Sequence, residues 1–288
     1  PACQALMRSC QQRCIEKLRK QVQGLMPSMQ QDAAGPICAK QCRKQHAASA
    51  QCRPVAARRA APPTSRLPTI AELQKLSPFC RKVRLVLAEK KIDVELVEER
   101  YWEADPDFMR RNPAGKVPIL KMNGRTMPDS MAICEYLEEK YPNPPLMPQS
   151  PEGRYEVRRL VAWFDDKFHH EVTSKLLYER VNKKLMNQGY PDSRNVKEGA
   201  RSIKYHLDYM AWLLDHRRWL AGDSMTIADF AAAAHLSSLD YNSDVDWTRS
   251  ETVKDWFAKI KSRPAFRSIL ADQVPGFPPA KHYNDLDF

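Results

Sequence analysis

Residues 77–91 read Ser-Pro-Phe-Cys-Arg-Lys-Val-Arg-Leu-Val-Leu-Ala-Glu-Lys-Lys. Phe79, Val83, Val86 and Leu87 recur on one helical face. Ser77 carries the hydroxyl of a good N-cap, and Pro78 suits the first helical position. Working outward, Asp93 to Glu98 carries Val94, Leu96 and Val97 and predicts a strand. Phe108 to Arg111 predicts a short helical turn. Pro118 to Met122 and Arg125 to Pro128 flank Asn123-Gly124, a dipeptide favoured in two-residue hairpins. Ser130 to Tyr141 predicts a helix that Pro142 stops.

The order is helix, strand, short helix, hairpin, helix, with a first strand expected before Ser77. That is a thioredoxin-like α/β unit, placed over residues 67–143. Residues 67–76 (LPTIAELQKL) make a poor central strand, with few β-branched residues and no period of two. Residues 144–151 read as a proline-rich linker, and residues 152–272 as an all-helical domain. There Leu160, Trp163, Phe164 and Phe168 mark one helix, and Ile203, Leu207 and Met210 the next. Thr226 and Asp229 have the spacing of a capping box before a small-residue core helix. Residues 273–288 hold three prolines and no regular period, and predict an extended tail. Its aromatics, Phe277, Tyr283 and Phe288, either wrap onto the helical domain or face a partner.

The charge of the 288-residue chain is unevenly spread. Residues 1–66 carry twelve Lys and Arg against two acids, leaving 34 and 33 of the chain's 46 and 35 for the rest. The net charge of +11 therefore belongs almost wholly to this leader and does not point to a nucleic-acid partner for the body. Six of the eight cysteines also lie there: Cys3, Cys10, Cys14, Cys38, Cys42 and Cys52. Cys10-x₃-Cys14 and Cys38-x₃-Cys42 fit paired thiols on two helices, and an Arg-rich, acid-poor leader fits a transit peptide. The plainer expectation is a disordered or non-native extension. The body's two separated thiols, Cys80 and Cys134, suit a reducing cytoplasm. No apolar run reaches the ~20 residues of a membrane helix, which excludes membrane insertion.

Four motifs carry a resemblance. They are Ser77-Pro-Phe-Cys80 at a helix start, Asn112-Pro-Ala-Gly-Lys-Val-Pro118, Asp129-Ser130 before the next helix, and Thr226-Ile-Ala-Asp229. In this order they resemble the glutathione S-transferase superfamily, a thioredoxin-like domain followed by an all-α domain. Trp163-Phe-Asp-Asp-Lys-Phe, Ile260-Lys-Ser-Arg-Pro-Ala-Phe and the ending His282-Tyr-Asn-Asp-Leu-Asp-Phe resemble its bacterial cell-division branch. The resemblance implies a dimeric cytoplasmic regulator recruited to midcell, with FtsZ and the division machinery as partners and little or no glutathione chemistry. The alternative is a transferase that conjugates or isomerises small electrophiles, with glutathione as substrate.

The resemblance also implies a site. Ser77 stands where the family activates the glutathione thiol, and Cys80 is a secondary candidate; without a cysteine at position 77, disulfide exchange should be poor. Lys116 and the Val117-Pro118 peptide, expected cis, would meet the cysteinyl part of glutathione. Asp129 and Ser130 would meet its γ-glutamyl end. Partner-binding candidates are Trp102, Tyr283, Asp285, Asp287 and Phe288. No metal is expected: His169 and His170 are adjacent, and neighbouring helical positions diverge by about 100°.

Overall fold

The structure, a computed structural model, describes residues 2–21, 38, 41–42 and 69–286. The chain divides into two units, Pro1–Arg66 and Leu67–Phe288.

In the first unit, helix α1 (Ala2–Gln21) is joined to residues 38–42 by two disulfides, Cys10–Cys42 and Cys14–Cys38. Where disorder was the expectation, residues 2–21 are helical, and the two Cys-x₃-Cys pairs cross-link as paired thiols. Cys10, Cys38 and Cys42 are the buried side chains among the described residues here. The cystines themselves take the place of an apolar core, as in other small stapled units. Of the apolar series Ile15, Leu18, Val22 and Leu25, only Ile15 has a described side chain; it is half-buried. Residues 47–63 lie outside the described residues.

The second unit begins with a four-stranded sheet in the order β2-β1-β3-β4. Its strands are β1 (Ile70–Leu73), β2 (Glu95–Glu98), β3 (Ile119–Met122) and β4 (Arg125–Pro128). β1 runs parallel to β2 and antiparallel to β3, and β3 and β4 form the hairpin at Asn123-Gly124. Asn123 (φ 52) and Gly124 (φ 74) both have positive φ, as a type I′ turn requires.

The doubtful stretch 67–76 does supply the central strand. Ala71, Glu72 and Leu73 are all buried, so both faces are covered and no alternation shows in the sequence. A carboxylate in the middle of a sheet is tolerated because Glu72 pairs with Lys121 on β3 and with Arg111 at 3.2 Å.

Helix α2 (Pro78–Glu89) follows β1, with Ser77 at its N-cap. The short α3 (Pro106–Arg111) precedes the Asn112–Pro118 loop, and α4 (Ser130–Lys140) follows β4. After the linker, α5 (Pro151–Ala162) continues through a π-helical stretch, Trp163–Thr173, into α6 (Ser174–Leu177). A second π turn, Tyr178–Asn182, leads to α7 (Lys183–Leu185). α8 (Ser193–Asp215), α9 (Ile227–Asp240), α10 (Glu251–Lys261) and α11 (Arg267–Leu270) complete the helical half.

Every residue of α9 is buried. Its capping box is complete: the Asp229 carboxylate accepts from the Thr226 backbone (2.8 Å) and hydroxyl (3.1 Å), from Leu220 N (3.0 Å) and from Trp256 Nε1 (3.0 Å). α9 packs on α2, which joins the two halves of the unit. Across that seam Arg81 donates to Ser237 Oγ (2.9 Å), and Arg81 and Arg84 both pair with Asp272.

The tail wraps. Tyr241 receives it, accepting from Val274 N (3.1 Å) and donating to Phe277 O (2.7 Å), while its carbonyl accepts from Ala280 N. Tyr283 is fully buried, donates to Ile269 O (3.3 Å) and lies under the Arg81 guanidinium. A buried ring presents no face to a partner, so Tyr283 belongs to the core rather than to a docking surface.

Candidate functional site

Strand register gathers the motif residues. Glu72 of β1 faces Ile119 of β3, and Ile119 faces Pro128 of β4, so these three residues form one row across the sheet. Just beyond that row, at the same end of the sheet, lie Ser77, the Val117-Pro118 peptide and Asp129-Ser130. The Val117-Pro118 bond is cis, as is Asn143-Pro144.

Each segment is held for a local reason. Ser77 Oγ accepts from Cys80 N at 3.4 Å and caps α2. Asn112 organises the Asn-Pro-Ala-Gly-Lys-Val-Pro loop: its Nδ2 donates to Lys116 O (2.7 Å), and its Oδ1 accepts from Ala114 N (3.1 Å). Gly115 has φ 62, where a side chain would be strained. Lys116 is exposed beside this loop, and Val117 is buried. Asp129 is exposed with φ 75, a conformation costly for a non-glycine residue. Its Oδ1 accepts from Met131 N (3.0 Å) and Ala132 N (2.9 Å), so it acts first as the N-cap of α4. Ser130 opens that helix and is buried.

The two thiols are unsuited to nucleophilic work. Burial pushes Cys80 up to about 11, against a hydrogen bond from Ser77 that lowers it. Burial pushes Cys134 up to about 12. Both therefore stay protonated near neutrality and behave as small apolar residues.

Sequence reasoning missed a polar cluster behind the first turn of α2. Lys82, almost fully buried, pairs with Asp165. The other Asp165 oxygen stands 3.8 Å from His235 Nε2, and His235 Nδ1 meets Thr173 Oγ1 at 2.8 Å. Burial works to raise the Asp165 carboxyl, but the Lys82 ammonium and His235 outweigh it and the carboxyl is held low. Burial also lowers His235, and it brings His169 down to about 4 with help from the neighbouring imidazoles. Phe79 stands edge-on to both rings, 4.9 Å from His169 and 5.7 Å from His235. The site is thus floored by a neutral aromatic wall, with its one buried cation already paired. Only Phe79 of this set carried a signal in the sequence, as part of the Ser-Pro-Phe-Cys element; the rest converge from four separate segments. His170 turns outward to Asp166 (3.0 Å), away from His169. No group of three or more metal-ligating side chains occurs among the described residues.

The partner candidates separate. Trp102 is half-buried and edge-on to Tyr101 (5.3 Å), and Asp285 is exposed at the end of the tail. Asp287 and Phe288 lie outside the described residues. No helix among the described residues is long and apolar enough to cross a membrane.

Two family models match: the glutathione S-transferase N-terminal domain over residues 75–145, and the C-terminal domain over 168–273. The chain is 46% identical over 217 residues to FtsZ-localized protein A of Caulobacter vibrioides, covering 74% of this chain and 95% of that protein. It is 30% identical over 213 residues to glutathione S-transferase 3 of Zea mays, covering 71% and 93%. The solved structure of FzlA from C. crescentus superposes with a TM-score of 0.74 at 44% identity, over 77% of this chain and all of that one. With both domain models matched over most of the second unit, and the cis Val117-Pro118 row in place, the chain belongs to the glutathione S-transferase superfamily.

Proposed function

We propose that this protein is a regulator of bacterial cell division that binds FtsZ filaments through a glutathione S-transferase fold, with little or no glutathione chemistry. The observation that carries the reading is the 46% identity to an FtsZ-localized protein over 95% of its length, against 30% to a plant transferase. Asp285 and Trp102 are the partner contacts in this reading, both on described surface. The site fits a weak catalyst: Cys80 is an inert buried thiol, and Asp129 is engaged in capping. The test is pelleting with FtsZ filaments and a chlorodinitrobenzene conjugation assay on one preparation. Pelleting without turnover supports the reading.

One observation favours glutathione as a ligand: Ser77, cis Val117-Pro118 and Asp129-Ser130 all remain at one end of the sheet. If turnover occurs, Ser77→Ala should move the pH–rate profile upward, because the bound thiolate loses a hydrogen-bond donor. An unmoved profile would place the chemistry elsewhere.

We also assign a homodimer, formed over the aromatic face of α5 and α8. Tyr155, Tyr205 and Trp212 are 66%, 55% and 58% exposed, and Trp212 stacks on Tyr209 at 6.2 Å. Aromatic rings at this density mark an interface rather than a solvated face. Trp212→Asp should convert a dimer to a monomer by light scattering, and an unchanged mass would move the interface elsewhere.

A further inference from the structure

A cleft of about 260 Å³ opens where the second half of α2, the turn after it, β2 and α11 meet. Its walls are Arg84, Ala88, Lys91, Ile92, Leu96 and Ser268, with Val94 and Asp93 completing the rim. None of these belongs to the row of Ser77, Val117 and Ser130. We propose that this cleft binds a small amphipathic carboxylate, its charge on Arg84 and Lys91 and its apolar part against Ala88, Ile92, Val94 and Leu96.

Three features carry this. Arg84 is 3% exposed and pinned: Nη1 donates to Asp272 (2.8 Å), and Nη2 to Asp272 (3.0 Å) and to Ser268 O (2.8 Å). Its buried Nε–H has no acceptor among the described residues. A desolvated donor left unpaired is costly, and a carboxylate is the strongest acceptor for it. Lys91 adds a second cation from a left-handed position (φ 54) that ends α2, so the lining carries two positive charges against Asp93. The third feature is apolar. Leu96, 42% exposed, and the half-buried Ile92 and Val94 give a hydrocarbon wall that a bare inorganic anion would not use.

Size selects the ligand. At about 30 Å³ per water the cleft has the volume of roughly nine waters, which suits an acid of about that many non-hydrogen atoms. A branched-chain or small aromatic acid satisfies charge, shape and volume together.

The experiment is a titration of the ¹⁵N-labelled full chain with sodium 4-methylpentanoate, and with 4-methylpentan-1-ol as an uncharged match. The acid should cause saturable shifts at Ala88, Lys91, Ile92 and Leu96, and the alcohol should bind roughly fivefold or more weakly, the loss of one charge-assisted contact. Lys91→Ala should weaken the acid by about the same factor, and Leu96→Asp should abolish its binding. Both positions are exposed, so melting temperatures should not change. Arg84→Gln strips Asp272 of a partner and endangers the fold, so the exposed pair carries the test. Equal affinity for acid and alcohol, shifts that rise without saturating, or saturable shifts confined to Ser77, Val117 and Ser130 would each overturn the proposal.

Discussion

Asp244 is the side chain whose protonation most directly ties pH to stability. Burial pushes its carboxyl up to about 6, only partly offset by Arg180 at 2.9 Å. An acid with a raised folded value binds a proton more tightly in the native state than in the unfolded one. Its contribution is therefore favourable below the unfolded value of 3.8 and is lost as pH rises towards 6, by an amount on the order of 3 kcal/mol. Asp244→Asn should raise the melting temperature at pH 7 and leave it nearly unchanged at pH 4. A variant that melts lower at pH 7 would show that the Arg180 pair outweighs the burial. None of this was legible in the sequence, where Asp244 is one acid among several in an Asn-Ser-Asp-Val-Asp run. Ser77, by contrast, was legible as an N-cap because capping needs only a hydroxyl before a proline-initiated apolar face.

Local rules acting over three or four residues explain which elements could be read and which could not. The capping box at Thr226 and Asp229, the hairpin at Asn123-Gly124 and the helix over 78–89 all follow from such rules and stand as expected. Strand β1 did not show itself, because Glu72 is made tolerable by Lys121 and Arg111, residues some 40 to 50 positions away. The same holds for the Lys82–Asp165–His235 cluster and for the Arg81–Arg84–Asp272 seam, whose partners meet only after the two halves pack. Two substitutions measure these cases. Thr226→Ala removes a local cap and should cost about 1 kcal/mol. Asp272→Asn leaves Arg81 and Arg84 buried with their charge uncompensated and should cost about 3–5 kcal/mol. Chemical denaturation of both variants gives the comparison; equal losses would mean that the seam contributes no more than a cap.

At the scale of the molecule, α2 ties site, seam and tail together. Its first turn carries Ser77 and Cys80, its buried face holds Arg81 and Arg84 against Asp272, and Arg81 in turn covers Tyr283. The tail is therefore structural up to Tyr283, and truncation after Gln273 would strip Val274 and Tyr283 from the core. Loss of function in such a truncation would not separate folding from partner binding. Asp285 lies beyond the buried ring and is exposed, so Asp285→Lys changes charge while leaving the core contacts in place. The central claim is that this fold serves FtsZ rather than conjugation, and co-sedimentation with FtsZ filaments tests it most directly. The chain should pellet with the filaments, and Asp285→Lys should weaken that binding at unchanged melting temperature, more strongly at low salt where exposed charges act over a longer range. A chain that stays in the supernatant at saturating FtsZ while turning over glutathione would contradict the claim.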